Sequence, residues 1–418
     1  MVSFSKGTGA TLSQIMGSLG ESNLWCQVRC QGWGQTLGLT PSWEGWSTGC
    51  GGGKKEGMEN IGETILVTGG CGFIGSNYVR HLLETSPQVQ VVVLDKLTYA
   101  GHRPNLEQEE KGGKCEVVVG DIADEKIVKG LFAKHHFTSV VNFAAESHVD
   151  RSIDEPAPFL HTNVSGTFTL LEASRKYLAE TKAKGAKAFR FIHLSTDEVH
   201  GSLEPSDPPF RESSTFAPNS PYAASKAAAD HLCRAYFRTY ALPTIVLRPS
   251  NNFGPYQFPE KLIPLAILRA LAGEKIPVYG DGKQVRDWLY VEDTARAVEA
   301  ARHRGGLGEP YQVGADAEKD NHTVLLGICD LLDRLKPRSD GSPYRNLMES
   351  VTDRPGHDRR YATDAAKFKK QTQWKPQVSF EVGLEKTVRW YLENPAWCQD
   401  VQGKGYAGQR LGLAKSKG

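Results

Sequence analysis

The chain has 418 residues, of which 39% are hydrophobic and 23% charged, with 50 Lys plus Arg against 48 Asp plus Glu and a net charge of +2. This is the composition of an ordinary globular protein with a sizeable core, in one large domain or two unequal ones, and it supplies no global field that would favour nucleic acid or an anionic membrane. Cys26, Cys30, Cys50, Cys71, Cys115, Cys233, Cys329 and Cys398 are scattered without a C-x-x-C pair, so no metal site is expected and reduced thiols are the better reading.

Residues 1–58 are rich in Gly, Ser and Trp, lack amphipathic period and close on Gly51-Gly52-Gly53-Lys54-Lys55, which marks an extension to the domains that follow. No run approaches the length of a membrane span, and the N-terminus lacks the basic and apolar regions of a secretory signal. The expectation is a cytoplasmic protein.

From Ile61 the chain becomes regular. Thr64–Val67 predicts a buried strand, Phe73, Ile74, Val79 and Leu82 an amphipathic helix, and Val89–Leu94 a second strand. Strands are predicted again at Cys115–Val119, Ser139–Phe143, Phe189–Leu194 and Thr244–Leu247, with helices near 124–134, 158–178 and 220–240 between them. Such alternation predicts an α/β fold, a doubly wound parallel sheet of the Rossmann type, over residues 59–254. Beyond Asn251 the alternation weakens and prolines recur, predicting a smaller mixed substrate domain over 255–400 and a tail over 401–418. Arg286–Ala301 reads as a strand running into a helix that returns to the first domain near 286–302, and Glu381–Leu392 as a last amphipathic helix.

The first strand ends in Thr68-Gly69-Gly70-Cys71-Gly72-Phe73-Ile74-Gly75. Gly69, Gly72 and Gly75 suit a tight turn, close approach of a pyrophosphate to backbone, and close helix packing, with free N–H groups at the helix start to meet phosphate oxygens. Asp95 falls at the end of the second strand, where a carboxylate accepts ribose hydroxyls and repels a 2′-phosphate, which favours NAD. Asp121-Ile122 and Ala144-Ala145 follow later strands and can flank the cofactor.

Tyr222 and Lys226, at i and i+4 in a predicted helix, share one face. An ammonium beside a phenol favours the phenolate, so the pair reads as a candidate base. Thr196-Asp197-Glu198 stands at the C-terminal end of the fifth strand, the ligand-binding edge of an open α/β sheet. Asp197 and Glu198 can serve one substrate only if the chain bends there, and His200-Gly201 permits the bend.

Further motifs are Asp95-Lys96-Leu97-Thr98-Tyr99-Ala100-Gly101, Ala144-Ala145-Glu146-Ser147-His148-Val149-Asp150, Asn251-Asn252-Phe253-Gly254-Pro255-Tyr256, Pro259-Glu260-Lys261-Leu262-Ile263-Pro264, Arg286-Asp287-Trp288 and Asp353-Arg354-Pro355-Gly356-His357-Asp358. With these, residues Glu63 to Leu392 resemble the extended short-chain dehydrogenases, and among them the dTDP-glucose 4,6-dehydratases. His200 and Phe253 depart from that family, which usually has tyrosine at both places.

The resemblance implies oxidation of a nucleotide-linked glucose at C4, loss of water across C5–C6 and return of hydride to C6, giving dTDP-4-keto-6-deoxyglucose with NAD regenerated. It implies Tyr222 as C4-hydroxyl base, Lys226 as its support, Thr196 on the 4-oxygen, Glu198 as C5 base and a protonated Asp197 as acid. It places Lys96, Leu97, Thr98, Ser147 and Asn252 with the cofactor. On the substrate it places His148, Asn251, Lys261, Leu262, Pro277, Tyr279, Arg286, Asn321, Arg354 and His357. A homodimer through the helices near 158–178 and 220–240 is also implied. An epimerase, a decarboxylase or another nucleotide's dehydratase on the same scaffold, or a silent NAD-binding protein, remain as alternative readings.

Overall fold

The structure, a computed structural model, describes residues 62–182, 189–353 and 357–403. The N-terminal extension, Arg354 and most of the tail lie outside the described residues. In chain order the strands are β1 (Thr64–Thr68), β2 (Gln90–Asp95), β3 (Cys115–Val119), β4 (Ser139–Asn142), β5 (Arg190–Leu194), β6 (Thr244–Pro249), β7 (Asn251–Phe253), β8 (Ile276–Tyr279), β9 (Val285–Tyr290), β10 (Pro310–Val313), β11 (Glu318–Asp320) and β12 (Met348–Val351).

Seven of them form one parallel sheet in the order β3-β2-β1-β4-β5-β6-β10. Both faces are covered, which is why strands such as Val91-Val92-Val93-Leu94 are apolar throughout. Alternation distributes them: Ile65 and Val67 pack with Tyr78, Val79 and Leu82 of the helix Phe73–Thr85 and with Val298 and Ala301 of Val291–Arg304. Leu66 and Val140 face Leu131, Leu170 and Cys233, from the helices Glu125–Lys134, Thr167–Lys182 and Pro221–Tyr240.

Two local differences from the sequence reading have physical causes. The seventh strand, β10, comes from a stretch expected in the smaller domain; at four residues it is too short to show a period, and only its register against β6 makes it a strand. The helix expected near 158–178 is broken into Ala157–Phe159, a π-helical segment Leu160–Gly166, and Thr167–Lys182. The wider π turn serves Asn163, whose side chain bonds the Glu146 N–H and C=O at 2.9 and 3.0 Å and the Ser225 hydroxyl at 2.8 Å. One buried amide thereby ties the loop after β4 to the helix that carries Tyr222.

The smaller sheets β11-β9-β7 and β12-β8 belong with a separate core cluster around Phe253, Ile267, Trp288, Tyr290, Ile328 and Leu384. Phe253 is fully buried there, with Trp288, Tyr290 and Phe380 rings around it. A phenylalanine suits that dry position because it leaves no hydroxyl to satisfy. The order of the large sheet reverses between β1 and β4, and the crevice outside their carboxyl ends is where the next group of residues converges.

Candidate active site

Gly69 takes φ +68, and a Cβ there would stand 2.6 Å from the Ala144 backbone nitrogen; a Cβ on Gly75 would stand 2.3 Å from the Gly69 oxygen. Neither glycine tolerates a side chain, so the turn offers bare backbone at the start of the helix Phe73–Thr85. Gly69, Gly72, Phe73, Ile74, Gly75, Asp95, Lys96, Thr98, Asp121, Ile122, Ala144, Ala145, Ser147 and Asn252 all line one cleft of about 290 Å³. Leu97 is the exception: it lies off the cleft wall at φ 53, gives its N–H to Asp95 and packs against the core.

The Asp95 carboxylate accepts from Cys71 N–H at 2.9 Å and Leu97 N–H at 2.8 Å, which orients it while leaving lone pairs for hydroxyl donors. Lys96 turns to Asp121 at 2.8 Å, and His161 reaches the same carboxylate at 3.0 Å. Several buried polar atoms of cleft-lining residues, among them Ser195 Oγ, Asn251 Oδ1 and Gln257 Oε1, find no hydrogen-bond partner among the described residues. Buried polar groups are seldom left unsatisfied, and these are placed for a polar ligand. Backbone cradle, oriented carboxylate and waiting polar atoms together fit a dinucleotide.

Past Ser195 the chain leaves β5 and turns into a 3₁₀ segment, Asp197–His200, closed by Gly201 at φ 82. The bend that the sequence allowed is therefore made, and both acids reach the cleft with Thr196, Tyr222 and Lys226. Thr196 caps the segment, its hydroxyl accepting from the Glu198 N–H at 3.3 Å. Burial, then the charge of neighbouring Glu198, push the Asp197 carboxyl up to about 8. It is accordingly protonated at neutral pH. Its oxygens lie 3.3 Å from the Thr196 hydroxyl and 3.4 Å from that of Thr363.

Tyr222 and Lys226 sit in the first turns of Pro221–Tyr240, where Ser220 caps Ala223 N–H at 3.1 Å and Pro221 opens the helix. Tyr222 is held above the ordinary phenol range by burial first and by Glu198 second, with Thr196 opposing as a hydrogen-bond partner. Lys226 is drawn down to about 8 by burial. Its ammonium donates to the Leu194 carbonyl at 2.7 Å.

A second chamber of about 180 Å³ shares Ser147, Glu198, Asn251, Asn252 and Lys261 with the first. His148, Leu262, Pro277, Tyr279, Arg286, Asn321 and His357 line it, so of the substrate candidates only Thr196, in the first chamber, and Arg354, outside the described residues, are not on its wall. Arg286 gives two N–H groups to the Val285 and Asp358 carbonyls at 2.8 and 2.9 Å and lies over the Tyr361 ring. Lys261 donates to the Ser147 carbonyl at 2.9 Å, and His357 pairs with Asp353 at 2.6 Å.

Sequence reasoning missed Ser195, Glu146, Gln257 and Glu260, which line the cleft, and Asn163 and Thr363 behind it. Glu260 had a signal, its place beside Lys261; buried, it pairs with Arg151 at 3.0 Å, and Arg151 covers the Tyr99 ring at 3.9 Å. Among the described residues no group of three or more His, Cys, Asp or Glu could hold a metal ion.

Residues 66–387 match the family model described as GDP-mannose 4,6 dehydratase. The chain is 52% identical over 349 residues to a dTDP-glucose 4,6-dehydratase of Xanthomonas campestris pv. campestris (strain B100), covering 84% of this chain and 99% of that one. The chain belongs to the dTDP-glucose 4,6-dehydratase family. Another member, dTDP-glucose 4,6-dehydratase 1 of Escherichia coli (strain K12), is 51% identical over 82% of this chain and 96% of its own. The crystal structure of the Bacillus anthracis dehydratase in complex with NAD superposes with a TM-score of 0.72 at 42% identity, covering 81% of this chain and 99% of that one. The dehydratase match begins after the N-terminal extension and takes in every described site residue named above.

Proposed function

We propose that this chain is an NAD-dependent hydro-lyase that converts dTDP-glucose to dTDP-4-keto-6-deoxyglucose. The observation that carries the reading is the turn Thr196-Asp197-Glu198, which brings an acid kept protonated and a neighbouring second carboxyl group to the cleft that also holds Tyr222. An enzyme that only oxidised and reduced C4 would have no use for such an acid pair at C5 and C6. NAD, held by the Gly69–Gly75 turn, Asp95, Thr98 and Ala144–Ser147, supplies a reversible hydride acceptor with a cationic ring.

Tyr222 first gives up its phenolic proton to solvent, a loss that charged Lys226 and the cationic cofactor when bound would favour; it then takes the proton of the sugar 4-hydroxyl as C4 is oxidised, while Thr196 hydrogen-bonds the 4-oxygen. The 4-ketone acidifies the C5 hydrogen, which Glu198 removes as a proton. Asp197 gives its proton to the departing 6-hydroxyl, and water leaves. As C6 is reduced, Glu198 returns a proton to C5. The proton gained by Tyr222 balances, through solvent, the one given by Asp197. Arg286, Asn251 and Lys261 hold the diphosphate, with Asn321 and His357 as further candidates on the same chamber wall.

Residues 59–254 act as the cofactor-binding domain, joined by the segment near 286–302 and by β10, and the remainder up to 400 binds the nucleotide sugar. A homodimer is supported by Phe168 and Tyr240, large apolar side chains exposed by 44% and 51% beside Tyr236, and by Leu160, exposed by 56% in the π-helical segment that leads into the helix of Phe168. A cytoplasmic location is supported by the five described cysteines, which are free and buried, and among the described residues no helix is long and apolar enough to cross a membrane. Incubation with dTDP-, UDP- and GDP-glucose tests the reading: a 4-keto-6-deoxy product from dTDP-glucose is expected. A 4-epimer in its place, or turnover only of another nucleotide's sugar, would overturn it.

A further inference from the structure

Lys226 is 3% exposed, and a buried ammonium is costly unless something answers its charge. Its ammonium donates to a neutral carbonyl, that of Leu194. Several titratable groups face it. Tyr222 and Cys233 on its own helix are both held protonated by burial, and His193 of β5 is held neutral by burial and by Lys226 itself. There remains Asp230, one helical turn beyond Lys226 on the same face and 3% exposed. Asp230 Oδ2 accepts from Arg248 Nε of β6 at 2.7 Å, while Oδ1 makes no hydrogen bond among the described residues.

We propose that Asp230, anchored by Arg248, is a positioning residue that keeps Lys226 charged in the dry floor of the cleft. The arrangement is a buried cation, anion, cation row with one net positive charge, in which each flanking cation is answered by the same carboxylate. Arg248 is in turn fixed by stacking over the Phe216 ring at 4.8 Å. His200 closes the row from the other side: it lies 3.5 Å from Arg248 and must stay neutral to do so. Burial first and Arg248 second keep it neutral, with Nε2 facing Gln312 Nε2 at 2.7 Å and Nδ1 facing the Thr215 carbonyl at 3.2 Å. His200 thus has a use at a position where the family usually has tyrosine: it fills the space beside a buried guanidinium without adding charge.

That Lys226 works in its charged form rests on the dehydratase reading; that Asp230 sets its charge does not. The test therefore begins without substrate, on the full chain labelled with nitrogen-15 lysine. The Lys226 Nζ signal is identified by its loss in Lys226→Met and titrated in wild type and in Asp230→Asn. The expected result is deprotonation at a pH lower by about one unit or more in Asp230→Asn, as for a buried lysine losing its counter-charge. Asp230→Glu should restore most of the difference. Should Asp230→Asn fail to fold, the double variant Asp230→Asn, Arg248→Met removes the orphaned guanidinium as well and carries an expectation of the same sign, a lower deprotonation pH for Lys226. With dTDP-glucose, the alkaline limb of kcat should move down in step while KM stays within about twofold of wild type. Titration unchanged in a folded variant overturns the proposal, even if activity falls. Absence of turnover by the wild type overturns the dehydratase reading and leaves the titration to decide this one.

Discussion

The hydroxyl of Thr363 lies 3.4 Å from the Asp197 carboxyl, although 166 residues separate them in the chain. With Thr196 on the other oxygen at 3.3 Å, Asp197 is met by two neutral hydroxyls. Arg286 opposes the upward push on it only as a lesser influence than burial, Glu198 and Asp287. Hydroxyls can serve either protonation state, so they hold the acid in place without forcing it to ionise.

That acid should betray itself in stability. Its folded value, about 8, lies above the ordinary carboxylate range, so between roughly pH 4 and 8 the native chain binds a proton that the unfolded chain has lost. Stability from this group is present at the low end of that window and is lost as pH rises through 8. Asp197→Asn, which cannot ionise, should therefore gain in Tm over wild type as pH is raised from 4 to 8. A constant difference across the window would show that Asp197 is ionised in the native protein.

Glu198→Gln keeps shape and removes the C5 base. Oxidation at C4 should survive while elimination slows by roughly two to four orders of magnitude. The measurement is the appearance of bound reduced cofactor after mixing with dTDP-glucose, together with uptake of solvent deuterium at C5. Exchange and product formation at wild-type rates would make Glu198 a turn residue only.

Gly75→Ala would put a methyl group 2.3 Å from the Gly69 oxygen. Because that contact is with backbone, the turn must move, at a cost of about 1–3 kcal/mol. NAD binding measured by calorimetry should weaken by roughly tenfold or more, since each 1.4 kcal/mol is a factor of ten in affinity. Unchanged affinity would remove this turn from the cofactor site.

His200 is drawn down to about 4 by burial first and by Arg248 second. Its folded value lies below the unfolded one of about 6.5, so the unfolded chain binds the extra proton between those limits. The stability it contributes is complete above about pH 6.5 and is lost as pH falls toward 4. His200→Gln, which can still bond Gln312, should make the acid loss of Tm shallower between pH 6.5 and 4. Deeply buried His193 acts in the same direction and leaves part of the slope in place.

The alternation of strands and helices, the glycine turn with Asp95, and the chemistry-bearing run Thr196-Asp197-Glu198 with Tyr222 and Lys226 were legible in sequence because each rests on local spacing. Strand and helix periods, i to i+4 neighbours and turn glycines are properties of contiguous residues. What only the tertiary structure decided is the charge of those groups and the company they keep. Whether Asp197 is protonated depends on burial and on Glu198, Asp287 and Arg286 meeting around it. The spacing of Tyr222 and Lys226 is local, but the burial and the Glu198 charge that hold Tyr222 above the ordinary phenol range come from the packed structure. Asn163, Thr363 and β10 are invisible in one dimension for the same reason: their roles arise from partners 62, 166 and 64 residues away. Local pattern selects the elements, whereas dielectric and long-range contact, which exist only once those elements pack, set the protonation of the site.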